Sequence, residues 1–266
     1  MKFGRIIGDK GRPVWVTEKE GQIFQAEGDP FAGTLRATQP VQGAVRWLPP
    51  VPHGAPLLCI GLNYSQHAAE SNLPVPAEPV LFLKNPGAAT GHLEPIRLPR
   101  VCGEEVDYEC ELAVVIGREC RDVPESSALD YVLGYTAAND VSARLWQLQR
   151  GGSQWCRGKS FDTFAPLGPW IVSAEAVGDP QTLGIRTRLN GELVQDSNTA
   201  DMIFGVARIV SFLSQDTTLA PGTVILTGTP QGIGWASNPR KLLHPGDTVS
   251  IEIDRIGTLT NPVVAA

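Results

Sequence analysis

The chain has 266 residues, of which 42% are hydrophobic and 19% are charged, and its formal net charge is −6 at pH 7. This length and balance predict one large globular domain, or one domain with a small appendage, and argue against a disordered or transmembrane chain. Lysines and arginines form no basic stripe, and the N-terminus lacks the apolar core of a signal peptide. We therefore expect a cytoplasmic protein that binds neither nucleic acid nor membranes.

The cysteines and histidines argue against metal sites built from sulfur or imidazole ligands. There are five cysteines, an odd number with no CxxC spacing, so we expect reduced thiols rather than a disulfide framework or a structural zinc site. No two of the four histidines lie at metal-ligand spacing. Any metal should therefore be bound by oxygen ligands.

Residues 1–52 are predicted to form a small β-rich unit with a linker, and residues 53–266 the main domain. Short strand-like pieces near the N-terminus alternate with turn residues, and the proline-rich segment 48–53 is stiff and extended. The alternative is that these residues only extend the main domain, since about 50 residues are a marginal size for independent stability.

Strands dominate the predicted main domain. The Asn190-Gly191 pair predicts a hairpin over residues 187–194. Because strands and helices follow one another in irregular order, the pattern favours a β-dominated α+β fold over a doubly wound parallel sheet. Apolar runs of strand length occupy residues 57–61, 79–84, 108–116, 134–139, 169–172, 223–226 and 248–253.

Three short helices are predicted between the strands. They are expected over residues 64–71, 141–150 and 202–213. Asn63 and Asp140 stand at the N-cap positions of the first two helices, where a side-chain oxygen can accept a backbone N–H.

The first predicted helix carries a histidine and a glutamate three residues apart. At this spacing the side chains of His67 and Glu70 meet on one face of the helix. A carboxylate beside an imidazole fixes its tautomer and raises its basicity, so the pair could activate water as a general base. An ordinary surface pair on a short helix is the alternative that the spacing leaves open.

Two glutamates interrupt the apolar run at residues 108–116. Because side chains alternate along a strand, Glu109 and Glu111 point to the same face, next to core-forming residues. Such a pair is unfavourable unless a cation or a shared proton offsets it. With Asp140, which follows another strand, the pair would offer three oxygen ligands to Mg²⁺ and leave about three of its six positions for water or substrate. Separate salt bridges to lysine or arginine are the alternative.

The segment after Asp140 carries polar groups suited to an anionic substrate. Arg144 and Gln147 are three residues apart and share a helix face, and Lys159 follows a glycine. A guanidinium and an amide near a metal suit a carboxylate or an oxyanion. An Asp140–Arg144 helix salt bridge is equally compatible with the spacing, and Lys159 could be a solvated surface lysine. The Gly-rich loop 227–234 could bind an anion or form only a tight turn.

Taken together, these segments resemble the fumarylacetoacetate hydrolase family, in the branch of acylpyruvate hydrolases, oxaloacetate decarboxylases and hydroxyhepta-diene-dioate isomerases. The resemblance covers about residue 57 to the C-terminus, and five ordered motifs are a far more specific match than any one of them. The motifs are GLNYSQH at 61–67 with Glu70, DYECELAVVIG at 107–117, GYTAANDVSAR at 134–144, GKSFD at 158–162 and ILTGTP at 225–230.

The resemblance implies a fold and a set of residue roles. The fold is a mixed β-sandwich roll with short helices, usually dimeric, to which the small N-terminal unit is added. Glu109, Glu111 and Asp140 match the family's ligands for Mg²⁺ or Mn²⁺, and His67 and Glu70 match its water-activating pair. The groups that hold the substrate's oxygen atoms match Arg144, Gln147, Lys159 and Thr229.

The resemblance also implies the reaction. It predicts a homodimeric, metal-dependent hydrolase that cleaves a carbon–carbon bond in a 2,4-dioxo acid, such as an acylpyruvate or fumarylpyruvate, in the catabolism of aromatic compounds. Water activated by His67 would attack the distal carbonyl, while Lys159 and Gln147 stabilise the oxyanion. The His67–Glu70 pair favours hydrolysis over two alternatives, decarboxylation of an oxaloacetate-like acid and isomerisation of a 2-hydroxyhepta-2,4-diene-1,7-dioate or 5-carboxymethyl-2-hydroxymuconate type of substrate. Binding of a 2-oxo acid without catalysis is a remote alternative, which the intact set of matched positions disfavours.

Two loops are expected to select the distal group of the substrate. They span residues 71–78 and 232–241. Trp146, Trp155 and Trp235 could line the pocket, although packing in the core or at an interface is the alternative for each.

Overall fold

The computed structural model describes all 266 residues as a strand-rich fold with short helices, which confirms the predicted fold class. The strands are β1 (Lys2–Ile7), β2 (Pro13–Lys19), β3 (Gln22–Glu27), β4 (Arg36–Pro40), β5 (Trp47–Leu48), β6 (Leu57–Gly61), β7 (Val80–Lys84), β8 (Ala89–Thr90), β9 (Ile96–Leu98), β10 (Val106–Asp107), β11 (Cys110–Ile116), β12 (Val132–Asn139), β13 (Ser142–Ala143), β14 (Ala165–Ser173), β15 (Gly184–Leu189), β16 (Glu192–Asn198), β17 (Val224–Leu226), β18 (Thr248–Ile253) and β19 (Gly257–Ala265). The α-helices are α1 (Ser65–Glu70), α2 (Cys156–Lys159), α3 (Ala174–Val177) and α4 (Val206–Ser214). Short 3-10 helices span Pro86–Ala88, Glu125–Tyr131, Pro180–Thr182 and Thr199–Asp201, and a π-helical segment spans Trp146–Arg150.

A mixed twelve-stranded sheet forms the centre of the molecule. In spatial order its strands are β4-β3-β2-β1-β14-β12-β11-β17-β6-β7, with β5 paired to β1 and β8 to β14. Most neighbours are antiparallel, but β17 and β6 run parallel. A five-stranded sheet, β16-β15-β18-β19-β9, and the short pair β10–β13 complete the β structure. This mixture agrees with the predicted α+β class and differs from a doubly wound parallel sheet.

Strand β11 lies in the middle of the central sheet and of the core. All seven of its residues are buried, and so are all three residues of its neighbour β17. A strand buried on both faces normally reads as a continuous apolar run, and β11 does so except at Glu111. The strand therefore carries a carboxylate into surroundings where that group needs a partner.

The N-terminal strands continue the central sheet. β1 pairs antiparallel with β14, with Phe3 opposite Ile171. Phe3 is 3% exposed and belongs to the main hydrophobic core, whereas Ile6, Val16 and Trp47 form a small cluster of their own. The division of the chain at residue 52 stays a prediction.

The predicted hairpin is confirmed, but the predicted cap of the first helix is wrong. β15 and β16 pair across the Asn190-Gly191 turn. Asn63 does not cap α1, because backbone groups of distant segments engage its side chain. The amide donates to the carbonyls of Phe204 and Thr227 and accepts the N–H of Phe204.

Asp140 is not a helix N-cap either. Ser142 and Ala143 pair with β10 to form β13, so the helical segment, Trp146–Arg150, begins later than predicted. The Asp140 carboxylate is bound by lysine side chains instead of by backbone N–H groups.

Two element boundaries also differ from the prediction. The helix expected over 202–213 is α4, which begins after Gly205. The last predicted strand, over 248–253, is β18, and it is followed by a further strand, β19, that pairs with it along its whole length. No helix of the structure is both long enough and apolar enough to cross a membrane.

Replacing Phe3 by alanine should lower the free energy of unfolding by about 3–5 kcal/mol, because it leaves a cavity in the main core. Urea unfolding followed by circular dichroism measures the loss. Leu193→Ala is the matched control, since Leu193 is 42% exposed and its truncation should cost less than about 0.5 kcal/mol. Equal effects of the two changes would contradict the packing of β1 in the main core and favour a separately folded N-terminal unit.

Candidate active site

One cavity of about 650 Å³ brings all the predicted site residues together. Its walls are built from the segments that follow β6, β12 and β17 and from the start of β11. The predicted residues in these walls are His67, Glu70, Glu109, Glu111, Asp140, Arg144, Gln147, Lys159 and Thr229.

The pairing of β11 with β12 brings three carboxylates together. Cys110 lies opposite Asn139, so Asp140 comes level with Glu109, and its N–H donates to the Glu109 carbonyl at 2.9 Å. The side-chain period of a strand puts Glu111 on the same face as Glu109. One oxygen atom from each of the three acids lies within 4.8 Å of the others, and all three residues are buried.

Three buried cations face these carboxylates. The ammonium group of Lys159 lies 2.8 Å from Glu109 Oε2 and 2.6 Å from Asp140 Oδ2. Lys84, at the end of β7, pairs with the other oxygen of Asp140, and Arg144 Nη1 lies 2.5 Å from Glu109 Oε1. Burial lowers the pKa of Lys159, but the Asp140 and Glu109 carboxylates outweigh this effect and raise that pKa above its usual value. Lys159 therefore keeps its positive charge.

Glu111 is the carboxylate without a cation. Its hydrogen-bond donor in the protein is the backbone N–H of Gly228, 2.7 Å from Oε2. Burial, followed by the negative charges of Asp140 and Glu109, raises the pKa of Glu111 well above its usual value. Burial acts in the same direction on Glu109, but the neighbouring cations, Lys159 first, hold the pKa of Glu109 below its usual value. Glu109, just before β11, and Glu111, on β11, thus have opposite electrostatic surroundings.

The residues fit a divalent cation with oxygen ligands. Asp107 also pairs with Arg144, so three buried cations face four buried carboxyl groups, and Glu111 is the one that has no cation. Carboxylate oxygens are preferred ligands of Mg²⁺ and Mn²⁺. The cluster contains no histidine or cysteine that would favour zinc. Glu109, Glu111 and Asp140 would therefore hold Mg²⁺ or Mn²⁺.

The histidine and glutamate of α1 meet in the cavity wall. His67 Nδ1 lies 3.2 Å from Glu70 Oε2. The other oxygen of Glu70 accepts the backbone N–H of Gly232 at 2.9 Å, which fixes the carboxylate. A proton held on Nδ1 by this carboxylate leaves Nε2 as an acceptor. The pair can therefore take up a proton from a group in the cavity.

Arg144 is held by two carboxylates, and neither belongs to Asp140. Its Nε lies 2.8 Å from Asp107 Oδ2, and its Nη1 lies 2.5 Å from Glu109 Oε1. The helix salt bridge to Asp140 that the sequence left open does not form. Nη1 also donates to Gln147 Oε1 at 3.0 Å, so these two side chains meet as their spacing predicts. With its oxygen engaged, Gln147 keeps its amide N–H groups as donors.

Apolar side chains line much of the remaining wall. Both loops that were expected to select the distal group contribute to it. Trp155 and Trp235 line the cavity, whereas Trp146 does not and packs edge-on against Phe161. Other apolar residues in the wall include Leu62, Leu73, Pro74, Phe82 and Ile233.

Sequence reasoning missed two charged residues of the network. Side chains alternate along β7, so Lys84 lies on the same buried face as Phe82, and this alternation was the available signal. Asp107 stands two residues before Glu109, and strand period would have placed it with the glutamates. Its carboxylate binds Arg144 and also accepts the backbone N–H groups of residues 234–235.

The chain is similar to proteins of one family along most of its length. The family model for fumarylacetoacetate (FAA) hydrolase C-terminal matches residues 57–264. A mitochondrial oxaloacetate tautomerase of Xenopus laevis is 48% identical over 217 residues, which are 82% of this chain and 68% of that protein. A solved 5-carboxymethyl-2-hydroxymuconate delta-isomerase from Mycobacterium smegmatis gives a TM-score of 0.86 at 41% identity and covers 100% of both chains. A 2-hydroxyhepta-2,4-diene-1,7-dioate isomerase from Mycobacterium marinum gives 0.84 at 41% identity, over 100% of this chain and 98% of the other.

Replacing Glu111 by glutamine should weaken Mg²⁺ binding more than about 100-fold, because a charged oxygen ligand is lost. The same change should leave the metal-free protein at least as stable, since it removes a buried charge that has no cation. Titration calorimetry measures the affinity, and thermal melting with and without Mg²⁺ measures the stability.

Glu119→Gln is the matched control for this change. Glu119 is exposed and lies outside the cavity, so its neutralisation should alter neither Mg²⁺ affinity nor melting temperature. Retention of full Mg²⁺ affinity in Glu111→Gln would contradict a metal site at the three carboxylates.

Proposed function

The chain belongs to the fumarylacetoacetate hydrolase family, and from this premise we propose that it is a metal-dependent enzyme that shifts a proton within a 2-oxo acid. The proposed substrate is an oxaloacetate-like diacid, and the reaction is conversion between its keto and enol forms. One observation carries the proposal: the His67–Glu70 pair lies in the same cavity as the three carboxylates suited to a divalent cation.

The relatives favour a proton shift over hydrolysis. The Xenopus laevis relative is named an oxaloacetate tautomerase, and both mycobacterial structures are named isomerases. These names describe relocation of a double bond or a proton without cleavage by water. They support the isomerase alternative better than the hydrolysis that the His67–Glu70 pair favours in the sequence alone.

Different residues of the cavity would have different roles in such a reaction. Glu109, Glu111 and Asp140 would hold the divalent cation, which when bound supplies Lewis-acid polarisation of the 2-keto group. His67 Nε2 takes the proton from C3, and the electron pair of the C3–H bond becomes the C2=C3 double bond. Glu70 keeps the imidazole oriented and stabilises its charged form.

The keto oxygen completes the proton shift. It gains negative charge as the C2=C3 bond forms, and a proton returned by the His67 imidazolium converts it to the enol. Lys159 keeps its ammonium form and Gln147 has free amide N–H groups, so both can donate to the developing oxyanion. Arg144 and Thr229 complete the set of residues proposed to hold the substrate's oxygen atoms.

Hydrolysis of a 2,4-dioxo acid remains the second candidate. The apolar side chains of Leu62, Phe82 and Trp155 could accommodate an apolar acyl group, which a 2,4-dioxo acid can carry and oxaloacetate lacks. In that reaction His67 would deprotonate water instead of a carbon atom. Decarboxylation of oxaloacetate would use the same polarised keto group without either proton transfer to the enol oxygen or attack by water.

The purified protein should accelerate the keto–enol conversion of oxaloacetate, followed by the ultraviolet absorbance of the enol, and EDTA should abolish the acceleration. His67→Asn should lower kcat about 10²–10⁴-fold, because it removes the general base. His244→Asn is the matched control, since that side chain is 71% exposed and lies outside the cavity. Its rate should equal that of the original chain.

Three outcomes of this assay would redirect the proposal. Release of pyruvate from an acylpyruvate, without faster conversion of oxaloacetate, would replace the proton shift by hydrolysis. Activity that survives EDTA on every substrate would contradict the metal. Binding of oxaloacetate with no turnover of any 2-oxo acid would support a non-catalytic binding protein.

We also propose that the protein acts as a homodimer and that the exposed face of β7 lies in the interface. β7 is an edge strand, and Leu81 and Leu83 on its outer face are 46% and 49% exposed. An apolar edge of this kind invites pairing with another copy. The cytoplasmic location expected from the sequence stays a prediction.

Light scattering should give twice the chain mass of 28.5 kDa, and Leu83→Asp should shift the protein towards the monomer, because it buries a charge in the proposed interface. Leu193→Asp, at an exposed position on β16, is the control and should remain dimeric. A monomeric original chain would refute the homodimer, and a dimeric Leu83→Asp would refute the role of β7.

A further inference from the structure

The loop after β17 leaves the central sheet directly beside the carboxylates. β17 pairs with the middle of β11, and each of the next two residues is held by a hydrogen bond of its own. Thr227 N–H donates to the Leu112 carbonyl at 3.1 Å, and Gly228 N–H donates to the Glu111 carboxylate. Further along the same edge of β11, the N–H of Cys110 donates to a side-chain oxygen rather than to a carbonyl of a neighbouring strand.

That side chain belongs to Gln195 of β16, which is 1% exposed. Its Oε1 accepts the N–H of Cys110 at 3.0 Å and the hydroxyl of Thr187 at 2.7 Å. Its Nε2 donates to Thr229 Oγ1 and to the Pro230 carbonyl, both at 3.0 Å. Because a backbone N–H can only donate and a carbonyl can only accept, these partners fix which end of the amide is oxygen. One buried amide thus joins the strand of the metal site to the loop.

The bond from Gln195 determines how the Thr229 hydroxyl can act. Thr229 lines the cavity, and its oxygen accepts a hydrogen bond from Gln195 Nε2. The hydroxyl proton has no acceptor among the protein's own hydrogen bonds, so it is available to a group in the cavity. With one of its two lone pairs engaged by Gln195, the hydroxyl still has its proton free to donate.

We infer that Gln195 is a positioning residue that presents the Thr229 hydroxyl as a hydrogen-bond donor to an oxygen atom of the substrate. The inference rests on the proposed function, in which Thr229 holds the substrate. Gln195 does not line the cavity, so it acts through Thr229 and through the position of the loop. A purely structural amide at this place would stabilise the fold without affecting substrate binding, and that difference can be measured.

Gln195→Met removes both ends of the amide, whereas Gln195→Glu keeps an acceptor for the Cys110 N–H. We expect each variant to raise the KM for oxaloacetate, and the Kd of the Mg²⁺-loaded protein for oxalate, about tenfold, because one oriented donor is lost. The value of kcat should change less than about threefold, since the lost contact is made in the ground state as well as in the transition state. Calorimetric Mg²⁺ affinity should also change less than about threefold, because the carboxylates keep their own contacts.

A double-mutant cycle with Thr229→Val separates positioning from general stability. In the original chain Thr229→Val should raise the Kd for oxalate about tenfold, but in the Gln195→Met background it should raise it less than about twofold. Gln181→Met is the matched control. Gln181 also bridges backbone groups, the N–H of Val206 and the carbonyl of Thr199, but lies outside the cavity. It should lower the melting temperature without changing the Kd for oxalate.

Equal effects of Thr229→Val in both backgrounds would overturn the inference, as would a Gln195→Met that shifts oxalate binding no more than Gln181→Met. A loss of Mg²⁺ affinity as large as the loss of oxalate affinity would assign Gln195 to the carboxylate strand and also overturn it. Failure of both Gln195 variants to fold would count against the positioning role, since Gln195→Glu keeps the hydrogen bond to the Cys110 N–H of β11. Oxalate binding needs no turnover, so a chain inactive on oxaloacetate would disprove the proposed function and leave this test intact.

Discussion

The site is organised around one buried carboxylate that the protein does not neutralise. Glu111 lies on a strand that is buried on both faces, and its neighbours Glu109 and Asp140 take the available lysine and arginine partners. A buried charge without a partner costs several kcal/mol unless it gains a proton or a cation. The stability of the central strand therefore depends on what binds beside Glu111. A hydrophobic residue at this position would not create that dependence.

Glu111 and two other carboxylates also hold the Gly-rich loop after β17. Glu111 accepts the N–H of Gly228, Glu70 that of Gly232, and Asp107 those of residues 234–235. The sequence left open whether this Gly-rich loop binds an anion or forms a tight turn. Its N–H groups do bind anions, but those anions are the protein's own side chains. Gly232 is required because its φ is +93° and a Cβ there would lie 2.3 Å from the carbonyl of residue 194.

Local periodicity predicted the parts of the site that depend on one element. Strand alternation placed Glu109 and Glu111 on one face, and the spacing of three residues on a helical turn placed His67 beside Glu70. The same rules could not find Lys84 as the partner of Asp140, because β7 and β12 are not neighbours in the central sheet and only the three-dimensional fold brings Lys84 to Asp140. Local rules favour Asn63 as a helix cap, but the hydrogen bonds of its side chain are all to distant segments. The fold class followed from element order, and the later helix starts did not, since they depend on tertiary pairing.

The choice between a proton shift and hydrolysis depends on whether water reaches the base. The His67–Glu70 pair is the same in both reactions, so its presence cannot distinguish them. In the wall of the cavity the two side-chain cations with permanent charge, Arg144 and Lys159, are already paired with carboxylates, and much of the remaining surface is apolar. Apolar walls disfavour an ordered water that needs several polar partners. The proton shift needs only the substrate and the base, whereas hydrolysis also needs a water held beside the base, and the apolar side chains of the wall offer such a water no hydrogen-bond partner. The surroundings of the pair, rather than the pair itself, therefore favour the proton shift.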